Sequence, residues 1–227
     1  MFKWFKGGSS GLESMRAEFG QMLDAARHIF DAAANALLGG TDLKVIHDDL
    51  FETDKRINRA EQKIRREIVI HATVHGPNSF PTCLVLMSVV KDAERLGDYA
   101  KNLFELAEVS PKLPAGEHKE DLIQLKDRIS RLMANCREAF DTEDADSAGR
   151  LISECHEIER HCDRKLAYLL PHSDEIPMSA SFALAYRYLK RVTSHTHNVA
   201  TSIVQPVDLL DFSEKQLPAK GEELKGG

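Results

Sequence analysis

The chain has 227 residues, with 30 Lys and Arg against 36 Asp and Glu for a net charge of −6 and a pI of about 5.9. Apolar residues make up 42%, charged residues 29% and aromatic residues only 7%, a balance that suits helices burying one face each and excludes disorder along the whole chain. An acidic chain with no block of Lys and Arg lacks the basic face that nucleic acid requires. No apolar run reaches the roughly 18 residues of a membrane span, and the opening MFKWFKGGSSG has no apolar stretch long enough for a signal peptide. These exclusions predict a soluble cytoplasmic protein without a nucleic-acid partner.

Met1-Phe2-Lys3-Trp4-Phe5-Lys6 holds the only Trp and is followed by Gly7-Gly8-Ser9-Ser10-Gly11, a flexible joint. Aromatics mixed with Lys suit an anionic membrane interface, so Trp4 and Phe5 are candidates for weak membrane or partner contact at the inner face of a membrane; a frayed tail is the alternative. Gly39-Gly40 ends a first helical pattern that begins near Glu13, and Thr41-Asp42 offers N-caps for a second that runs to about His75. Gly76 to Pro81 breaks it, and a third helix spans Thr82 to about Val109. There Val89, Ala93, Leu96, Ala100, Leu103 and Ala107 recur at the alternating spacing of a bundle seam.

Ser110 to Gly116 is the longest Pro- and Gly-rich connector. Beyond it the breakers predict helices from Glu117 to about Phe140, Asp144 to about Leu170 and Ser179 to about Val204. Cys155 and Cys162 fall on the apolar face of the fifth helix; with Cys83 and Cys136, and no C-x-x-C, they read as buried core residues. No segment alternates with period two. The predicted fold is all-α, two tandem three-helix bundles over 13–110 and 117–205, with tails at 1–12 and 206–227. A slide of 96 residues supports a duplication, aligning Pro81 with Pro177, Arg95 with Arg191, Leu96 with Val192 and Asn102 with Asn198.

The chemistry concentrates in Asp92-Ala93-Glu94-Arg95-Leu96-Gly97-Asp98-Tyr99-Ala100-Lys101-Asn102. Glu94, Asp98 and Asn102 are spaced by four and share one helix face. Like charges at that spacing repel by a few tenths of a kcal/mol, so a compensating group is expected. It is either a hard or borderline cation held by carboxylates of neighbouring helices, with Asp54 and Glu61 facing from the second helix, or the adjacent Lys91, Arg95 and Lys101 on a solvated face. The Glu-x-x-His pattern of di-iron bundles is missing from this stretch, and no nucleophile with its base or phosphate-cradling glycine loop appears, so no catalytic residue is assigned.

The string ERLGDYAKN, with Asp54-Lys55-Arg56-Ile57-Asn58 about forty residues upstream, resembles the signature of the PhoU family of phosphate-signalling proteins from about Glu13 to Val204. The resemblance implies two three-helix repeats and a Glu/Asp-x-x-x-Asp motif able to hold iron or zinc. On this chain that motif falls on Glu94 and Asp98, with Asp54 from the preceding helix; Glu61, Asn102, Glu105 and His195 are further metal or polar partners. It also implies a non-enzymatic cytoplasmic adaptor that docks on a phosphate transporter component or a sensor histidine kinase, acts indirectly on transcription and forms homo-oligomers. The chain departs from the family at Ser79-Phe80-Pro81, and in the second repeat Lys190 and Ser194 replace both motif acids. That change argues against a metal cluster there; His197, two residues from His195, points elsewhere, and Lys190 is expected to tie to Glu154 or Glu157. The rival readings are a carboxylate-bridged helical metalloenzyme and a purely structural oligomerising protein.

Overall fold

The computed structural model describes residues 10–110 and 112–210. Among these residues there are six α-helices and two short 3-10 turns, and no strand: α1 (Ser10–Leu37), α2 (Leu43–His75), α3 (Phe80–Val109), α4 (Glu117–Thr142), α5 (Ala145–Leu169) and α6 (Ser179–Val204). Trp4 and Phe5 lie outside the described residues. Local chemistry sets the boundaries. Asp42 caps α2 by accepting from the Lys44 N–H at 2.9 Å, and Asp144 caps α5 by accepting from the Asp146 and Ser147 N–H groups at 3.0 and 3.1 Å. Gly39 and Gly76, at φ of 87° and 71°, take the left-handed backbone needed to leave α1 and α2. Between α2 and α3 the expected break is a 3-10 turn over Pro77–Ser79, and α3 begins at Phe80 with Pro81 in its first turn.

The helices α1, α2 and α3 pack together as one bundle and α4, α5 and α6 as another, and the two are joined where α3 meets α6 and α1 meets α4. The stripe Met15, Phe19, Met22, Ala26, Ile29, Phe30, Ala33 and Leu37 buries one side of α1. At the join, Phe19 and Phe140 rings lie 4.8 Å apart, and Arg137 Nε donates to the Gly20 carbonyl at 2.9 Å. A Cβ on Gly20 would come within 2.4 Å of the Arg137 guanidinium, so glycine is what lets this cation cross α1.

The duplication is visible as a pseudo-twofold axis at the seam. Asp92 corresponds to Tyr188 and Tyr99 to His195. Asp92 touches His195 at 2.8 Å while Tyr99 and Tyr188 rings lie 6.2 Å apart, so α3 and α6 run antiparallel and the two contacts are each other's counterparts. In the second helices of the repeats, buried Leu50, Asp54, Ile57, Glu61 and Ile68 of α2 correspond at constant offset to Leu151, Cys155, Ile158, Cys162 and Leu169 of α5. Two buried acids of the first repeat are thus cysteines in the second. All four cysteines are free and buried, and burial pushes the Cys136 and Cys162 thiols up to about 12, which keeps them protonated and unreactive.

Candidate functional site

The motif residues of α3 face the acidic positions of α2, and the structure arranges them as alternating acids and bases. Arg65 meets Glu61 at 3.1 Å. Lys91 lies 3.9 Å from Glu61 and 2.8 Å from Glu94. Arg95 pairs with Asp98 at 3.0 Å, and Lys101 contacts both Asp98 and Asp54 at 3.1 Å. Asn58 donates to Asp54 at 3.2 Å. Asp54 and Glu61 are buried although charged, and they are tolerated because each has a cation at hand. Gly97 brings α2 and α3 together: a Cβ there would sit 3.3 Å from Ile57 Cδ1 and 3.7 Å from Asp54 Oδ1.

Burial alone would lower the Lys101 ammonium, but its hydrogen bonds to Asp54 and Asp98 hold it above its usual value, so it is charged. The carboxylate oxygens are of the type that hard cations take. Their arrangement gives the position between Asp54 and Asp98 to Lys101, and among the described residues no three His, Cys, Asp or Glu side chains converge on a point that could hold a metal ion. Asn102 is half-buried and Glu105 exposed on the same helix, while His195 belongs to the seam with the other repeat.

That seam holds a polar network which sequence spacing did not assemble. Asp92 Oδ1 accepts from His195 Nδ1 and from Asn198 Nδ2, both at 2.8 Å. Arg191 reaches His195 Nε2 at 3.2 Å and donates through Nε to the Tyr99 hydroxyl at 3.1 Å, and the Tyr99 and His195 rings stack at 5.6 Å. Because a guanidinium can only donate, Nε2 is the atom that accepts from Arg191, which leaves Nδ1 to donate to Asp92. Arg191 and Asn198, both matched between the repeats by the duplication, were the available signal; their partners on α3, Tyr99 for Arg191 and Asp92 for Asn198, lie about a hundred residues away in sequence.

His197 points away from His195, toward α5, where its ring lies 4.9 Å from that of His156. Its Nε2 is buried without a hydrogen-bond partner, and burial, with His156 beside it, holds its pKa below the usual value. Lys190 does not tie to Glu154 or Glu157 as expected: it binds Asp163 at 2.6 Å. The antiparallel register sets this, since Ser194 one turn on meets Glu159 at 2.5 Å, and Glu154 and Glu157 are taken by Arg128 of α4 at 2.7 and 2.8 Å. A further cluster ties the second bundle together. Asp121 of α4 accepts from Tyr186 of α6 at 2.7 Å and meets His161 and Lys165 of α5 at 2.9 and 3.3 Å. Burial would raise Asp121, but the bonds from His161 and Tyr186 hold it below the usual carboxylate value, while burial and the same bond push the Tyr186 hydroxyl up.

Comparison with known proteins agrees with this architecture. Residues 19–107 match the family model of the PhoU domain. The chain is 23% identical over 188 residues to a Deinococcus radiodurans protein called a phosphate-specific transport system accessory protein PhoU homolog, covering 80% of this chain and 87% of that one. A Synechocystis protein of the same name is 23% identical over 160 residues, covering 68% of this chain and 71% of that one. Among solved structures, PhoU from Pseudomonas aeruginosa superposes with a TM-score of 0.78 at 22% identity, covering 86% of this chain and 96% of that one. The phosphate transport system regulatory protein PhoU from Streptococcus pneumoniae gives 0.73 at 16% identity, with coverages of 85% and 93%. Residues 19–107 thus match the PhoU domain, and the six-helix architecture of the described residues shares the fold of these PhoU structures.

Proposed function

We propose that this protein is a regulator of phosphate transport that works in the cytoplasm by docking, on a phosphate transporter component or its sensor kinase, and catalyses no reaction of its own. The observation that carries the reading is likeness over most of the chain, through both repeats, to relatives named as accessory proteins of phosphate-specific transport. Among the described residues no helix is long and apolar enough to cross a membrane, which fits an accessory that meets its transporter from outside the bilayer. The two repeats present different faces to a partner: alternating Arg65, Glu61, Lys91, Glu94, Arg95, Asp98 and Lys101 on the first, and Lys190 with Asp163 on the second.

Deleting the gene is expected to raise phosphate uptake and expression of phosphate-starvation genes in phosphate-replete cells. Unchanged uptake and expression would overturn the reading, and so would metal-dependent turnover of a substrate by the purified protein. A divalent iron or zinc ion enters this proposal at Asp54, Glu94 and Asp98 only in exchange for Lys101, which stands between two of those carboxylates. The expected outcome is that metal bound by the purified protein falls when Glu94→Ala is combined with Asp98→Ala; an unchanged metal content removes the site from the proposal.

A further inference from the structure

Several of the ten histidines have an oxygen partner that fixes the ring. His28 and His47 meet Asp49 and Asp48 at 2.6 and 2.9 Å, His161 meets Asp121 and His195 meets Asp92, and His172 donates through Nδ1 to the Tyr168 carbonyl at 2.8 Å. Two contacts join one histidine to another instead. In the pair of His156 and His197 the second ring is buried, whereas His71 and His75 lie at the surface, half-buried and exposed, in the last two turns of α2. Their ring centroids are 4.2 Å apart with the planes inclined at 32°. A spacing of four puts both imidazoles on one helix face, and it is the spacing by which a helix offers two nitrogens to a single zinc ion.

The surroundings favour a cation at this place. From Ile68 to Val90 the sequence contains no Lys or Arg, so the hairpin made by the end of α2 and the first part of α3 supplies no ammonium to fill the position, as Lys101 fills the one between Asp54 and Asp98. His75 is the last residue of α2, and the carbonyl end of a helix carries partial negative charge. Glu67, 3.8 Å from Lys63, stands one turn before His71 on the same stripe. Exposed Glu13 of α1 comes level with Ile68 when the antiparallel register of Lys63 with Glu18 is continued.

We propose that His71 and His75 form a binding site for one borderline divalent metal ion, zinc above all, with each imidazole supplying one nitrogen. Imidazole donors suit zinc, nickel and copper, whereas magnesium and calcium take oxygen. Among the described residues no three His, Cys, Asp or Glu side chains converge on such a point, so the chain supplies two ligands, water fills the remaining positions, and the site is an open one. A bound ion bridges the final turn of α2 just before the chain leaves the helix at Gly76. The site is separate from the carboxylates of α2 and α3, because His71 lies ten residues beyond Glu61, about 15 Å along the helix. This inference is independent of the phosphate-transport reading and of any ion at Asp54, Glu94 and Asp98, and fails or stands separately from both.

The test is calorimetric titration of the metal-free full chain with zinc at tens of micromolar, in excess magnesium. In Glu94→Ala with Asp98→Ala, which takes away two carboxylates of the other candidate site, one zinc ion is expected to bind. Adding His71→Ala or His75→Ala to that background should each weaken the binding by about tenfold or more, since a second ligand held at a fixed spacing multiplies the affinity of the first. Thr73→His combined with His75→Ala keeps the number of histidines but leaves His71 and the new ring two residues apart, on different faces, and should not restore it. Thr73 and His75 are exposed, and unchanged helical circular dichroism confirms that the fold persists. Absence of zinc binding by the native chain overturns the proposal, as does undiminished affinity in a folded His71→Ala or His75→Ala protein, or restoration by the displaced histidine. Loss of all zinc with Glu94→Ala and Asp98→Ala alone would assign the ion to the carboxylates, which overturns this inference and leaves the other site standing.

Discussion

Single side chains at the seam carry strict requirements. Asp92 is buried and accepts from both His195 and Asn198. Removing it leaves the buried His195 donor and the half-buried Asn198 donor unsatisfied, so Asp92→Ala is expected to cost roughly 1–3 kcal/mol. Asp92→Asn keeps the shape and one acceptor oxygen and should recover part of that loss; urea midpoints of the three proteins check both statements, and an Asp92→Ala midpoint equal to that of the native chain would contradict them. His197 supplies a pH dependence. Its folded pKa lies below the unfolded value of 6.5, so the unfolded chain binds more protons in that range and stability must fall as pH drops below about 6.5 and through the folded value. His71, also lowered by burial, acts in the same direction. The difference between the native chain and His197→Leu therefore isolates one residue: the variant should lose less stability between neutral and mildly acidic pH, measured again as urea midpoints, and parallel pH profiles would show that the buried ring is not penalised. The candidate site was partly legible at this scale. Asp54, Glu61, Glu94 and Asp98 could be placed on facing helices from spacing alone, as could Lys91, Arg95 and Lys101 among them, whereas Arg65 on Glu61 was not anticipated and the partners of Asp92 and Lys190 depend on interhelical register, which no local pattern encodes.

At the level of the helix, the breakers in the sequence decide most boundaries. Gly39, Gly76, Asp42 and Asp144 stop or start helices through backbone and capping chemistry that is local, so α6 falls at Ser179–Val204 as read from the sequence and the other helices shift by a few residues. Glycines inside helices were less readable, because what they permit is set by another element. Gly20 of α1 makes room for Arg137 of α4, whose guanidinium a Cβ would meet at 2.4 Å, whereas Gly149 of α5 has nothing within 4 Å of its Cβ position. The same substitution should then have opposite signs. Gly149→Ala is expected to stabilise by about 0.5–1 kcal/mol through helix propensity and a less flexible unfolded chain. Gly20→Ala gains the same contribution but displaces Arg137 from the Gly20 carbonyl, with a net loss of about 1 kcal/mol or more. Thermal midpoints of the two variants, measured side by side, check the contrast; stabilisation by both would mean that Arg137 relocates without cost.

On the scale of the whole molecule the two repeats are held by equivalent faces, α1 and α3 of one against α4 and α6 of the other. Leu23, Leu96, Met133, Cys136, Thr196 and Val199 from these four helices meet around a gap of only about 10 Å³, so the centre of the protein is a packed four-helix contact rather than a joint between independent units. The duplication was visible in the sequence; its twofold arrangement was not, since it needs the antiparallel pairing of α3 with α6. That arrangement makes a prediction about each half. Surfaces related by a twofold axis are self-complementary in backbone shape, and the seam face of the first repeat is apolar around Phe19, Leu23 and Leu96, all buried in the full chain. Residues 10–110 produced alone would expose that face to water. The fragment should therefore form homodimers that reuse the α1 and α3 face, with a second copy in the place of α4 and α6. Light scattering would give the mass, and Leu96→Asp, which puts a charge at the centre of the face, should return the fragment to monomer. A native fragment that is folded by circular dichroism and monomeric at tens of micromolar would show that the seam is specific to the pairing of unlike repeats, with Asp92 and His195 rather than the apolar floor deciding which faces meet.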